Sequence, residues 1–102
     1  MDRISKLKEF LKTSPQDSFL IHALALEYVK ISDLVAAEEC FTLNLEKNPE
    51  YVATYYHLGK LYENAGKEAA AIKIYELGII FSKQINDNHS FGELRAALDN
   101  LL

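Results

Sequence analysis

Apolar residues recur along the chain at intervals of three and four positions, which is the spacing of one face of an α-helix. The stripe is clearest in the middle of the chain, at Val52, Tyr55, Leu58, Leu61 and Tyr62. Comparable patterns predict helices over residues 3–13, 19–29, 33–47, 52–62 and 68–84, with a closing helix within 88–102. The chain has only four glycines and two prolines, whereas an all-β domain needs turn residues roughly every eight to twelve positions. We therefore predict an all-α fold.

Short polar segments separate the predicted helices and suggest where each one begins. Ser14 and Asn48 each precede a proline, a pattern typical of an N-cap followed by the first helical residue. Ser90 is followed three residues later by Glu93, which is a capping-box pattern. These residues predict the starts of the second, fourth and sixth helices.

The chain also repeats itself with a period of 34 residues, and such a period is the mark of a repeat architecture. The identical residues at this offset are Pro15 and Pro49, Leu24 and Leu58, Tyr28 and Tyr62, Ala36 and Ala70, Ala37 and Ala71, and Leu43 and Leu77. Each unit contains two predicted helices. Small residues at Ala25, Gly59, Ala37 and Ala71 would let the helix axes approach closely.

These residues resemble the tetratricopeptide repeat family. The second unit matches its pattern of aromatic, Leu-Gly, tyrosine, turn glycine, alanine and aromatic at Tyr55, Leu58-Gly59, Tyr62, Gly66, Ala71 and Tyr75. The first unit matches at Ile21, Leu24-Ala25, Tyr28, Ala37, Phe41 and Pro49. It departs from the pattern at Ser32 and Asn44.

The resemblance implies antiparallel helix-turn-helix repeats in an α-solenoid. We expect residues 1–102 to form one domain, with a half-repeat helix at 1–14 and repeats at 18–51 and 52–85. A capping helix at 88–102 would cover the last apolar face.

Charge and composition exclude several classes of function. The net charge is -4 and the pI is about 5.3, so the basic surface on which nucleic-acid binding depends is missing. The start of the chain lacks the apolar run of a signal peptide, and no apolar stretch is long enough to span a bilayer. A single cysteine, Cys40, cannot form an internal disulfide. We expect a cytoplasmic protein without nucleic-acid or membrane partners.

Catalytic and metal chemistry have little support in the sequence. His22, His57 and His89 have no histidine or cysteine three or four positions away, which is the spacing that presents two metal ligands on one helical face. Neighbouring carboxylates and burial would both raise the pKa of the Cys40 thiol, which disfavours a nucleophilic role. No phosphate-binding loop or nucleophile elbow occurs. We predict no enzyme activity, no metal site and no cofactor.

A protein-binding surface is the function that the resemblance implies. In this family the first helices of successive repeats line a concave groove that receives peptides or partner helices. By the family's register the groove residues are Phe19, His22, Leu26 and Val29 in the first repeat, and Tyr56 and Lys60 in the second. They would suit an amphipathic segment with apolar anchors and a carboxylate.

Two alternatives remain open at this level. The closing helix could fold back into the groove and fill it. The chain could instead be a self-associating scaffold that assembles through its open repeat ends into a homo-oligomer. The Lys-Asn pair with which some family members clamp chaperone tails is replaced by His22 and Leu26, so that specialised function is disfavoured.

Overall fold

A computed structural model describes residues 2–102, and this part of the chain contains six α-helices and no strand. The helices are α1 (Arg3–Thr13), α2 (Ser18–Lys30), α3 (Leu34–Lys47), α4 (Ala53–Asn64), α5 (Glu68–Gln84) and α6 (Asn88–Asp99). The predicted all-α fold is confirmed. The residues up to Asn48 form one compact unit, and Pro49–Leu102 form a second. The predicted repeat boundaries stay a prediction.

In the first unit, α2 packs against both α1 and α3. Its core contains Leu7 of α1 with Ala23 and Leu24 of α2, surrounded by half-buried apolar side chains that include Tyr28 and Cys40. Ala25, Ala37 and Phe41 are completely buried. Residues 21–25 of α2 are thus all buried, whereas Phe19 and Val29, nearer the two ends of the helix, remain exposed.

In the second unit, α5 packs against α4 and α6, and two glycines allow the helices to approach. A Cβ on Gly59 of α4 would lie 2.1 Å from Cε1 of Tyr75 on α5. A Cβ on Gly78 of α5 would lie 2.6 Å from Cβ of Tyr55 and 2.9 Å from Cδ1 of Leu94. The ring of Tyr75 is fully buried in the space that Gly59 leaves.

Three helices of the chain end in the same type of turn. Ser32, Gly66 and Asn86 have positive φ angles of 61°, 75° and 60° and follow α2, α4 and α5. At each end the next backbone N-H donates to a carbonyl five residues earlier, as in Asp33 to Tyr28 at 2.9 Å. This is the Schellman pattern, in which a left-handed residue closes the helix. Ser32 therefore adopts the left-handed conformation without the usual glycine.

The predicted N-caps at Ser14, Asn48 and Ser90 are wrong. The caps are aspartates at two of these helices: Asp17 accepts a hydrogen bond from the Leu20 N-H at 3.0 Å, and Asp87 accepts one from the Ser90 N-H at 3.0 Å. Ser90 lies inside α6.

Ser14 and Asn48 instead end α1 and α3. A residue before proline is pushed away from helical dihedral angles, so a helix ends there more readily than it begins. The Asn48 side chain donates to the carbonyl oxygen of Gln16 at 3.2 Å and to Oδ1 of the buried Asn44 at 2.9 Å. Asn44, which departs from the repeat pattern, thus has a hydrogen-bond partner in the fold.

Candidate functional site

A surface cavity lies beside α2, and both apolar and charged side chains line it. Its volume is about 540 Å³. The lining residues are Arg3, Phe19, His22, Ala23, Leu26, Glu27 and Lys30. The Phe19 side chain is 60% exposed, which is unusual for a large aromatic group, since burying it would remove apolar area from water. The cavity can therefore accept an apolar group from a partner.

Three of the four groove residues predicted on α2 meet at this cavity: Phe19, His22 and Leu26. They lie at positions i, i+3 and i+7 of one helix, which places them on one face. Val29 is exposed but does not line the cavity. His22 is buried, and its ring centroid lies 5.8 Å from that of Phe41 on α3 in a tilted arrangement. One edge of His22 thus belongs to the packing between α2 and α3.

The rim of the cavity carries an excess of positive charge. Arg3 Nε donates to Glu27 Oε2 at 3.2 Å, and Lys30 Nζ lies 3.1 Å from the same oxygen. The Glu27 side chain is 15% exposed, against 62% for Arg3 and 71% for Lys30. Two well-exposed cations share one largely covered carboxylate, and the rim is left with one net positive charge.

Arg3 was not among the groove residues predicted from the sequence. Its contact with Glu27 spans 24 positions, and no periodicity marks a pair so far apart. The Glu27 and Lys30 pair follows the three-residue spacing of neighbours on a helix surface. That spacing was the feature of the sequence from which a charged pair at Glu27 could have been predicted.

In the second unit, Tyr56 and Lys60 lie together on α4. Lys60 Nζ is 5.5 Å from the centroid of the Tyr56 ring and 3.4 Å from Glu63 Oε2. An ammonium over an aromatic face is attracted by the negative face of the ring. The two predicted residues thus form one amphipathic patch, with a flat apolar ring and a cation beside it.

Glu63 connects this patch to the interior of the second unit. The Tyr75 hydroxyl donates a hydrogen bond to Glu63 Oε2, the oxygen that also faces Lys60. Burial raises the pKa of Tyr75, and the Glu63 carboxylate raises it further. Tyr75 therefore stays a neutral hydrogen-bond donor throughout the physiological range.

His57 neighbours this patch and faces α6. Its ring packs edge-on against Tyr56, with centroids 5.7 Å apart. Desolvation by its surroundings lowers the pKa of His57, and the negative charge of Glu93 on α6 partly opposes the shift. The neutral imidazole is therefore favoured in the folded second unit.

The surroundings of Cys40 do not favour a nucleophilic role for its thiol. Burial raises the pKa of the thiol, and the charge of Glu39 raises it further, as the sequence predicted, so the reactive thiolate is disfavoured. Within residues 2–102, no three His, Cys, Asp or Glu side chains are grouped to hold a metal ion. Across the same range, no helix is both long and apolar enough to cross a membrane.

Comparisons with known proteins identify the relatives of this chain. It is 36% identical to a tetratricopeptide repeat domain protein from Salinibacter ruber; the crystal structure of that protein matches 83% of this chain and 94% of its own with a TM-score of 0.79. A solution structure of a protein from Bordetella parapertussis matches 99% of this chain and 88% of its own. Its TM-score is 0.82 at 23% identity, which shows the fold alone.

Among curated proteins, the human Superkiller complex protein 3 is 38% identical over 68 residues. The match includes 66% of this chain and only 4% of the human protein. No family model matches the chain.

Proposed function

Because the chain belongs to the tetratricopeptide repeat family, we propose that it is a protein-protein interaction module that binds a peptide or partner helix through the exposed face of α2. The fold is a repeat scaffold, and its partners are proteins. The patch of Tyr56 and Lys60 on α4 is a second candidate contact surface, within the second unit.

The observation that carries this proposal is the exposed Phe19 beside an open apolar cavity. An isolated exposed apolar residue is ordinary on a protein surface. Phe19 differs because Leu26 and Ala23 line the same cavity, so a partner side chain seated there would contact several apolar groups at once. Aromatic anchors of this kind supply much of the binding energy at protein interfaces.

The charges at the rim favour a partner that carries a carboxylate next to its apolar anchor. Glu27 satisfies only part of the positive charge of Arg3 and Lys30. A partner carboxylate could pair with either cation without displacing Glu27. We therefore expect an amphipathic segment with an apolar side chain and an acidic residue on one face.

Selection of short random peptides displayed on phage against the full chain tests this proposal. The selected sequences should combine apolar and acidic residues. Their affinities are measured by fluorescence anisotropy for the wild type and for Phe19→Ala, Tyr56→Ala and Lys60→Ala. Phe19→Ala should weaken binding by about 2 kcal/mol or more. Lys60→Ala should have a smaller effect that shrinks as salt is added.

Val35→Ala is the matched control, because Val35 on α3 is 71% exposed and lies outside the cavity. It should bind the selected peptides like the wild type. Each variant must first give the wild-type circular dichroism spectrum. If folded Phe19→Ala binds the selected peptides as tightly as the wild type and Val35→Ala, the α2 cavity is not the binding site.

A further inference from the structure

A second apolar groove lies between α5 and α6 and is unrelated to the α2 cavity. Its volume is about 450 Å³. The lining residues of this α5–α6 groove are Glu76, Ile79, Ile80, Arg95, Leu98, Asp99 and Leu102. Ile80 is 52% exposed and Leu102 is 83% exposed. This volume can hold an apolar side chain from a third helix, as when ridges of one helix pack into the grooves of others.

The charges around this groove are predominantly negative. Glu76 and Asp99 supply two carboxylates, against one guanidinium from Arg95. Arg95 Nε is 3.7 Å from Asp99 Oδ1, and both side chains are more than half exposed, so solvent screens this pair. A basic amphipathic helix is the complement of such a groove.

Helix α1 of the same chain has this chemistry on its outer side. Ile4, Leu7 and Leu11 face the core of the first unit. Lys6, Phe10 and Thr13 recur at helical spacing on another side and are all exposed, and we call them the α1 stripe. Phe10 is 57% exposed. Of the other basic residues of α1, Arg3 pairs with Glu27, Lys12 pairs with Glu9 at 3.0 Å, and Lys8 lies over the Tyr28 ring. The charge of the stripe is therefore the single positive charge of Lys6.

We propose that the α5–α6 groove binds the α1 stripe of a second copy of this chain. Phe10 would enter the groove beside Ile80, and Lys6 would approach Glu76. The apolar groups match, and the net charges of the two surfaces are opposite. The proposal gives a site to the self-association that the sequence left open, and it does not depend on peptide binding at Phe19.

The two surfaces are different, so the contact is heterologous: each copy offers one surface of each kind. One helix in one groove buries less area than a standard interface, which is about 1,200 to 2,000 Å². The association should therefore be weak, with a Kd of about 10 μM to 1 mM. Sedimentation equilibrium of the wild type should show an average mass that rises with concentration in this range and falls when salt is added.

Complementation between two variants distinguishes this contact from other modes of self-association. Phe10→Glu removes the α1 stripe and keeps the groove; Ile80→Glu removes the groove and keeps the stripe. Each variant alone should associate at least about tenfold more weakly than the wild type. An equimolar mixture should form a one-to-one complex, because one intact stripe can meet one intact groove. Val35→Glu, on α3, is the control and should associate like the wild type.

Nuclear magnetic resonance locates the contact in that mixture. Unlabelled Ile80→Glu is added to ¹⁵N-labelled Phe10→Glu, and the amide signals of Ile79 and Leu98 should shift. Circular dichroism must first show that each variant is folded, and Lys6→Glu replaces Phe10→Glu if the latter is not. The proposal is wrong if the wild-type mass is independent of concentration up to about 1 mM. It is equally wrong if both variants associate like the wild type, or if their mixture stays monomeric.

Discussion

Replacement of Gly59 by alanine tests the close contact between α4 and α5. In the interior of an exposed helix this change stabilises by about 1 kcal/mol, because alanine has the higher helix propensity. Here the new Cβ would lie 2.1 Å from Cε1 and 2.6 Å from Cζ of Tyr75. The Tyr75 ring is fully buried, and its hydroxyl is bonded to Glu63. The ring cannot move aside without losing contacts.

The size of the effect follows from these contacts. Overpacking a well-packed core costs about 1 to 3 kcal/mol. A shifted ring would also weaken the hydrogen bond to the Glu63 carboxylate, and bonds to charged groups contribute about 1.5 to 3 kcal/mol. With both costs added and the gain in helix propensity subtracted, Gly59→Ala should lower the free energy of unfolding by about 1.5 to 5 kcal/mol. The Tm should fall by at least about 6 °C.

Denaturant unfolding followed by circular dichroism measures this change, and Gly92→Ala is the matched control. Gly92 lies in α6, and a Cβ added to it would meet no atom within 4 Å, so alanine there should stabilise by about 1 kcal/mol. The double variant Gly59→Ala with Tyr75→Ala should cost less than the sum of its two single changes, because both act on one contact. If Gly59→Ala is as stable as the wild type, the α4 and α5 axes lie farther apart than described.

Three further outcomes follow from the structure. Asp17→Ala should lower the free energy of unfolding by about 1 kcal/mol, because α2 loses its N-cap. Ser14→Ala should change it by less than about 0.5 kcal/mol. Chemical denaturation of both variants shows which of the two residues caps α2. The lowered pKa of His57 means that the folded state prefers the neutral ring, so its contribution is complete above pH 6.5 or so and is lost as the pH falls through the folded pKa. The wild-type Tm should therefore decline over this window, and His57→Gln should give a shallower decline. Ala71→Leu, at a fully buried position, should cost about 1 to 3 kcal/mol by overpacking, and an unchanged denaturant midpoint would contradict this expectation.

The helices were predictable because each one buries an apolar stripe, and such a stripe is visible as a three-and-four spacing. Helix α5 spans Glu68–Gln84, as its pattern predicted. The caps were harder to predict, because serine, asparagine and aspartate all favour the N-cap position. Only the chain path shows that Ser14 ends α1 and that Asp17 begins α2.

The sequence indicated which residues of α2 share a face, but it did not show how far neighbouring helices bury them. Helical register places Phe19, His22 and Leu26 on one face of α2, and they do line one cavity. Register does not show how far a neighbouring helix covers that face, so the packing of His22 against Phe41 could not be foreseen. The contact of Arg3 with Glu27 depends on how α1 lies on α2, and no local pattern encodes it.

The hydrogen bond from Tyr75 to Glu63 restricts which substitutions the surface of α4 can tolerate, and the surface of α2 has no such restriction at Phe19. Glu63 faces Lys60 on the surface and accepts a hydrogen bond from the core. Replacement of Glu63 by lysine or by an apolar residue to suit a new partner would also leave the buried Tyr75 hydroxyl without its acceptor, and selection for stability would act against it. Phe19 carries no such obligation, because most of its surface is exposed. New binding specificities can therefore arise at Phe19 by single substitutions, whereas at Glu63 a residue that cannot accept a hydrogen bond requires a compensating change in the core.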